Sequence, residues 1–100
     1  MSAACQEASL ATSFAMFACG PQGSPESYIR QAAASVPGAR GVEKCFARKT
    51  GLGYHVDLHL EVDPDMTVRQ SHDIAHLVRL RIMDTLQWVA DVLVHVEPAP

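Results

Sequence analysis

The sequence predicts an α+β domain in which two helices cover one face of a three-stranded sheet, in the order helix, strand, strand, helix, strand. Three observations carry that expectation. Residues 53–62, GYHVDLHLEV, alternate strictly: Tyr54, Val56, Leu58, Leu60 and Val62 fall on one side, and His55, Asp57, His59 and Glu61 on the other. That period of two is the mark of a strand with one buried face. A second alternating run closes the chain, with Val92, Val94 and Val96 opposed to Asp91, Leu93, His95 and Glu97. Between the two runs, Ile74, Ala75, Val78, Ile82 and Leu86 recur at the spacing of a helix stripe.

The elements follow in order. Residues 1–23, rich in Ala and Ser, read as an N-terminal helical or flexible segment, because Leu10, Phe14 and Phe17 recur at helical spacing. GPQGSP, residues 20–25, is a linker by composition, so the domain proper is placed at 24–100. Ser24 then offers a cap, Pro25 suits the first helical position and Glu26 favours the positive end of the helix dipole. Ile29, Ala32, Ala33 and Val36 make the apolar stripe of this helix, and Pro37-Gly38 stops it. Val42 to Lys49 reads as a strand with Val42 and Phe46 on one side and Glu43 and Cys45 on the other. The TGLG turn at 50–53 joins it to the next strand as a hairpin. Asp63-Pro64-Asp65 ends that strand. Thr67 and Gln70 have the spacing of a capping box, opening a helix that runs to about Leu86. The last strand spans Val89 to Glu97, and Pro98 and Pro100 end the sequence.

At 100 residues the chain is one small domain, with little core to spare and a natural use for dimerisation. Its composition, 48% hydrophobic and 19% charged, is that of a soluble globular protein. A net charge of −3 with scattered Lys and Arg argues against a nucleic-acid partner, which would need a basic stripe to neutralise phosphates. The longest near-apolar stretch, residues 10–20, is too short to span a bilayer, and the start lacks the basic region of a signal peptide. Three widely spaced cysteines, Cys5, Cys19 and Cys45, make no disulfide framework. They suit a reducing, cytoplasmic compartment.

The open sheet face holds the chemistry. His55, Asp57, His59, His95 and Glu97 combine imidazole with carboxylate, a donor set that suits Zn²⁺ and its first-row neighbours. Side chains two apart on one strand face stand roughly 6.5–7 Å from each other, so His55 with Asp57, or Asp57 with His59, can close on one ion. His95 can join that ion or form a second site. The plainer alternative is a solvated polar face, common in half-buried sheets. His72 and His76 lie four apart on the long helix, a metal-ligand spacing, but the residues between them do not make HExxH. The GLG of the hairpin turn is no phosphate loop, and Cys45 with a histidine lacks any sign of an oxyanion hole, so no enzyme is expected. Cys45 reads either as a small buried hydrophobe or as a thiolate that selects a softer ion such as Cu⁺.

Residues 24–98, about three quarters of the chain, resemble the cytoplasmic C-terminal domain of cation diffusion facilitator transporters. The resemblance rests on VPGARGVEKCFARKTGLGYHVDLHLEVDPDMTVRQSHDIAHLV and VADVLVHVEP, above all on Ser71-His72 combined with Val94-His95-Val96-Glu97-Pro98. It implies a ferredoxin-like, metallochaperone-like αββαβ sandwich that forms a V-shaped homodimer, with Zn²⁺ or another divalent ion in the groove. Asp57 and His95 match central-site ligands of some members, and His59 a zinc-ligand histidine of others. His55 stands where other members place an aromatic or another ligand. His72 matches the helix-start histidine of a peripheral site, and Glu97 an aspartate that often ligates. The resemblance does not reach residues 1–23, whose native-looking start suggests a stand-alone relative of the domain, used for sensing, buffering or delivery. A membrane transporter is a partner in keeping with that role. The rivals are a protein-interaction module with incidental histidines and a soluble Cu⁺ carrier using its cysteines.

Overall fold

A computed structural model describes residues 23–100. The expected helix around Leu10, Phe14 and Phe17 lies outside the described residues, as do Cys5 and Cys19. The described elements are α1 (Pro25–Ala34), β1 (Gly41–Thr50), β2 (Gly53–Val62), α2 (Val68–Thr85) and β3 (Val89–Pro98). Their order is the one the periodicities predict.

The strands lie in the order β1-β2-β3, so the alternating stretch from residue 53 to 62 is the centre of the sheet. β1 pairs with it antiparallel through the hairpin, and β3 pairs parallel after the α2 crossover. On the covered face Val56, Leu58 and Leu60 are at most 2% exposed. They pack against Ile29 and Ala33 of α1 and Val78 and Ile82 of α2. Burying one such branched side chain is worth about 1.5–3 kcal/mol, which makes this layer the main stabilising feature. α1 lies against β1, α2 lies against β3, and the helices touch each other. Among the described residues no polar or charged residue is buried.

The helix starts differ in how they are made. Thr67 Oγ1 accepts from the Gln70 backbone N–H at 3.1 Å, while Gln70 Oε1 accepts from the Thr67 N–H at 2.9 Å, so the capping box is complete. Ser24 occupies the N-cap of α1, but its hydroxyl donates to Glu26 Oε1 at 3.0 Å and caps no backbone group. Pro25, preset for the first helical turn, carries that start. Beyond α1 the chain turns through Gly38 at a φ of 96°, and the hairpin turns through Gly51 at 64°, both in the left-handed region that glycine enters without penalty.

One strand departs from its expected facing. Val42 pairs with Leu60, and Lys44 pairs with His59, so Glu43 is an extra residue in β1, a β-bulge. The bulge reverses the expected alternation after Val42. Cys45 turns into the core at 9% exposure, and Phe46 turns to the open face at 55%. The core face of β3 also thins along its length. Val92 is buried, Val94 is partly covered, and Val96 is 37% exposed.

Candidate metal centre

The open face is ordered by strand register. In its first row, β2 sets His55 between Arg48 and Asp91; in the next, Asp57 lies between Phe46 and Leu93; in the third, His59 lies between Lys44 and His95. The parallel pairing of β2 with β3 therefore brings His95 beside His59, one row away from Asp57. The two imidazoles stack, with ring centroids 4.9 Å apart and planes inclined by 27°. His59 Nδ1 lies 2.6 Å from Glu97 Oε1, a contact between residues 38 apart in sequence that only the crossover makes.

Glu43 completes the cluster. One ligand atom from each of Glu43, His59 and Glu97 lies within 4.8 Å of the others. Among the described residues, this is the group of three or more ligating side chains that converges so closely. His59 and Glu97 are about two-thirds to three-quarters covered, so an ion there would keep one side open to water. The electrostatics show how crowded the site is. Glu43 donates a hydrogen bond to Glu97 when protonated, and the negative charge of Glu97 beside it raises the Glu43 carboxyl above its usual range. Glu97 is lowered, first by that hydrogen bond from Glu43 and then by the one from His59.

The other expected ligands take different places. His55 is exposed beside Asp91, whose carboxylate is held at 3.1 Å by Arg79 and lowered by that hydrogen bond. Asp57 is half-buried between two apolar neighbours. His72 and His76 are exposed on α2 and outside the cluster. The neighbour of His72, Ser71, lines an open cleft that Val96 and Glu97 line from β3. Cys45 is in the core, on the other side of the sheet from the imidazoles, and burial pushes its thiol up to about 11. Sequence reasoning missed Glu43, because strict alternation grouped it with Cys45. The signal was present: two consecutive polar residues, Glu43 and Lys44, widen the spacing between apolar Val42 and Cys45 from two to three.

Residues 21–99 match the family model described as cation efflux protein, cytoplasmic domain. The chain belongs to this family. Among cation efflux relatives, it is 34% identical over 68 residues to metal tolerance protein 2 of Oryza sativa subsp. japonica, covering 68% of this chain and 18% of that protein. It is 33% identical over 72 residues to the magnetosome protein MamM of Magnetospirillum gryphiswaldense, covering 72% and 23% respectively. The chain thus spans about a fifth of the length of these curated relatives. A solved MamM CTD superposes with a TM-score of 0.72 at 32% identity, covering 74% of this chain and 94% of that one. A nickel form of a MamM CTD variant gives 0.73 at 31%, covering 75% and 95%. These likenesses establish the ferredoxin-like fold and the expected resemblance to cation diffusion facilitators. Among the described residues of this cation efflux domain, no helix is long and apolar enough to cross a membrane.

Proposed function

We propose that this domain binds a divalent transition-metal ion, Zn²⁺ first, on its open sheet face and acts as a homodimeric regulatory, sensing or carrier unit of cation efflux. The observation that carries this reading is the convergence of His59 and Glu97 at 2.6 Å, with Glu43 closing the group within 4.8 Å. Neutral imidazole with carboxylate is a donor set for first-row divalent ions. His95, stacked on His59, is the next donor in reach. Solved MamM CTD variants in a nickel form and in a cadmium form support a divalent ion as ligand for the same fold. The buried, protonated thiol of Cys45 does not favour a Cu⁺ carrier.

The test is calorimetric titration of the full chain with Zn²⁺. Saturable binding is expected, with at least about a tenfold loss on His59→Ala, the scale on which metal sites respond to lost support. Absence of Zn²⁺ binding by the unaltered chain, or unchanged binding by His59→Ala, would overturn the reading. His55→Ala should lose less than His59→Ala, because His55 stands apart from the cluster.

A further inference from the structure

The β-bulge in β1 does more than correct a facing. In an unbroken antiparallel ladder every residue of β1 would have a partner on β2. Here Val42 and Lys44 take consecutive partners, Leu60 and His59, and Glu43 has none. A bulge of this kind re-aims the side chain of its extra residue. Glu43 reaches across β2 to Glu97, a residue of the far strand, and one ligand atom from each lies within 4.8 Å of one from His59.

Two carboxylates brought together on a surface repel unless a positive group stands with them. Among the described residues the ion pairs are Arg40–Asp63, His59–Glu97 and Arg79–Asp91. No lysine or arginine pairs with Glu43 or Glu97 there, although Lys44 is the next residue in β1. The charge of Lys44 favours both carboxylates without pairing with either, and His59 balances Glu97 only when protonated. With His59 neutral, the cluster gathers oxygen donors beside one imidazole and has room for a further cation.

We infer that Glu43 is itself a ligand, and that it sets how the site discriminates among divalent ions. This rests on the proposed metal-binding function of the same face. Without Glu43 the group is one imidazole and one carboxylate, with a second imidazole stacked beside them. With Glu43 the carboxylates outnumber the directly converging imidazole. Carboxylate oxygen suits harder ions such as Mn²⁺, whereas imidazole suits Zn²⁺, Ni²⁺ and Cu²⁺. The intrinsic order of affinities still places Zn²⁺ above Mn²⁺ at such a site. Glu43 narrows that gap by adding an oxygen donor that the harder ion needs more.

The experiment titrates the full chain, Glu43→Gln, Glu43→His and His59→Ala with Zn²⁺ alone and Mn²⁺ alone. Mn²⁺ is followed by the loss of its free-ion paramagnetic resonance signal. For Glu43→Gln, Mn²⁺ affinity should fall about tenfold or more and Zn²⁺ affinity by no more than about threefold, so that the ratio widens. Glu43→His should return Zn²⁺ affinity but not Mn²⁺ affinity. Equal losses for the two ions, or none, would overturn the role of Glu43 while leaving metal binding intact. If the unaltered chain binds neither ion, or if His59→Ala binds both undiminished, the site itself fails and the inference with it. Glu43 is exposed on an edge strand, and circular dichroism of its variants checks that they fold.

Discussion

At neutral pH the Cys45 thiol stays protonated, because burial pushes it up to about 11 from an ordinary 9.0. In the unfolded chain the same thiol ionises at lower pH, so above that ordinary value the unfolded state holds fewer protons than the folded one. Folding stability contributed by this group is therefore complete below about pH 9 and declines as pH rises towards 11. Denaturant midpoints measured over that range should fall more steeply for the unaltered chain than for Cys45→Ala, whose Zn²⁺ binding should be unchanged. Parallel slopes would show that the thiol is more open to water than the fold indicates. The residue type alone left Cys45 open between a core hydrophobe and a soft-metal ligand. Only its neighbours Glu43 and Lys44, by shifting the register, decide for the core. His59 differs: its chemistry and that of Glu97 were legible from their places in the alternation, but their pairing was not.

Elements were easier to read than contacts. Leu58 and Leu60 repeat every second residue and Val78 and Ile82 every fourth, so β2 and α2 could be placed from their periods alone. Thr67 with Gln70 named the start of α2, and the structure shows both reciprocal hydrogen bonds. Thr67→Ala should cost about 1 kcal/mol, the usual loss for an N-cap, seen as a lowered thermal midpoint. An unchanged midpoint would mean that Gln70 and solvent satisfy the helix start unaided. What periodicity could not supply was strand pairing. The face of His95 followed from alternation in β3, but its alignment with His59 follows from the parallel register, which depends on where α2 returns the chain. The bulge at Glu43 is equally a tertiary fact. A single unpaired residue in β1 determines both the core position of Cys45 and the third donor of the cluster.

On the scale of the whole molecule, the open face is polar but not wholly so. Phe46 and Leu93 are 55% and 56% exposed on either side of Asp57, where a monomer gains nothing by showing them to water. A two-fold related copy would cover both pairs, since the same patch serves each side of such a contact. Light scattering of the metal-free chain should give a dimer mass, and Phe46→Ser with Leu93→Ser should give a monomer of unchanged circular dichroism. A monomer mass for the unaltered chain at high micromolar concentration would refute the assembly. The aromatic joint at the other end of β2 bears on how all of this can be watched. Trp88 is the chain's single tryptophan. It meets Tyr54 and Tyr28 edge-on, at centroid distances of 5.3 and 6.3 Å. Tyr54 is the second residue of β2 and His59 lies five residues on, about 17 Å at strand rise. Light absorbed by the indole thus reports whether α1, β2 and the start of β3 remain joined, at a remove from the cation donors. Its emission should keep its colour while an ion fills the far end of the sheet and redden only when the layers separate, giving the domain a built-in optical distinction between ligation and unfolding.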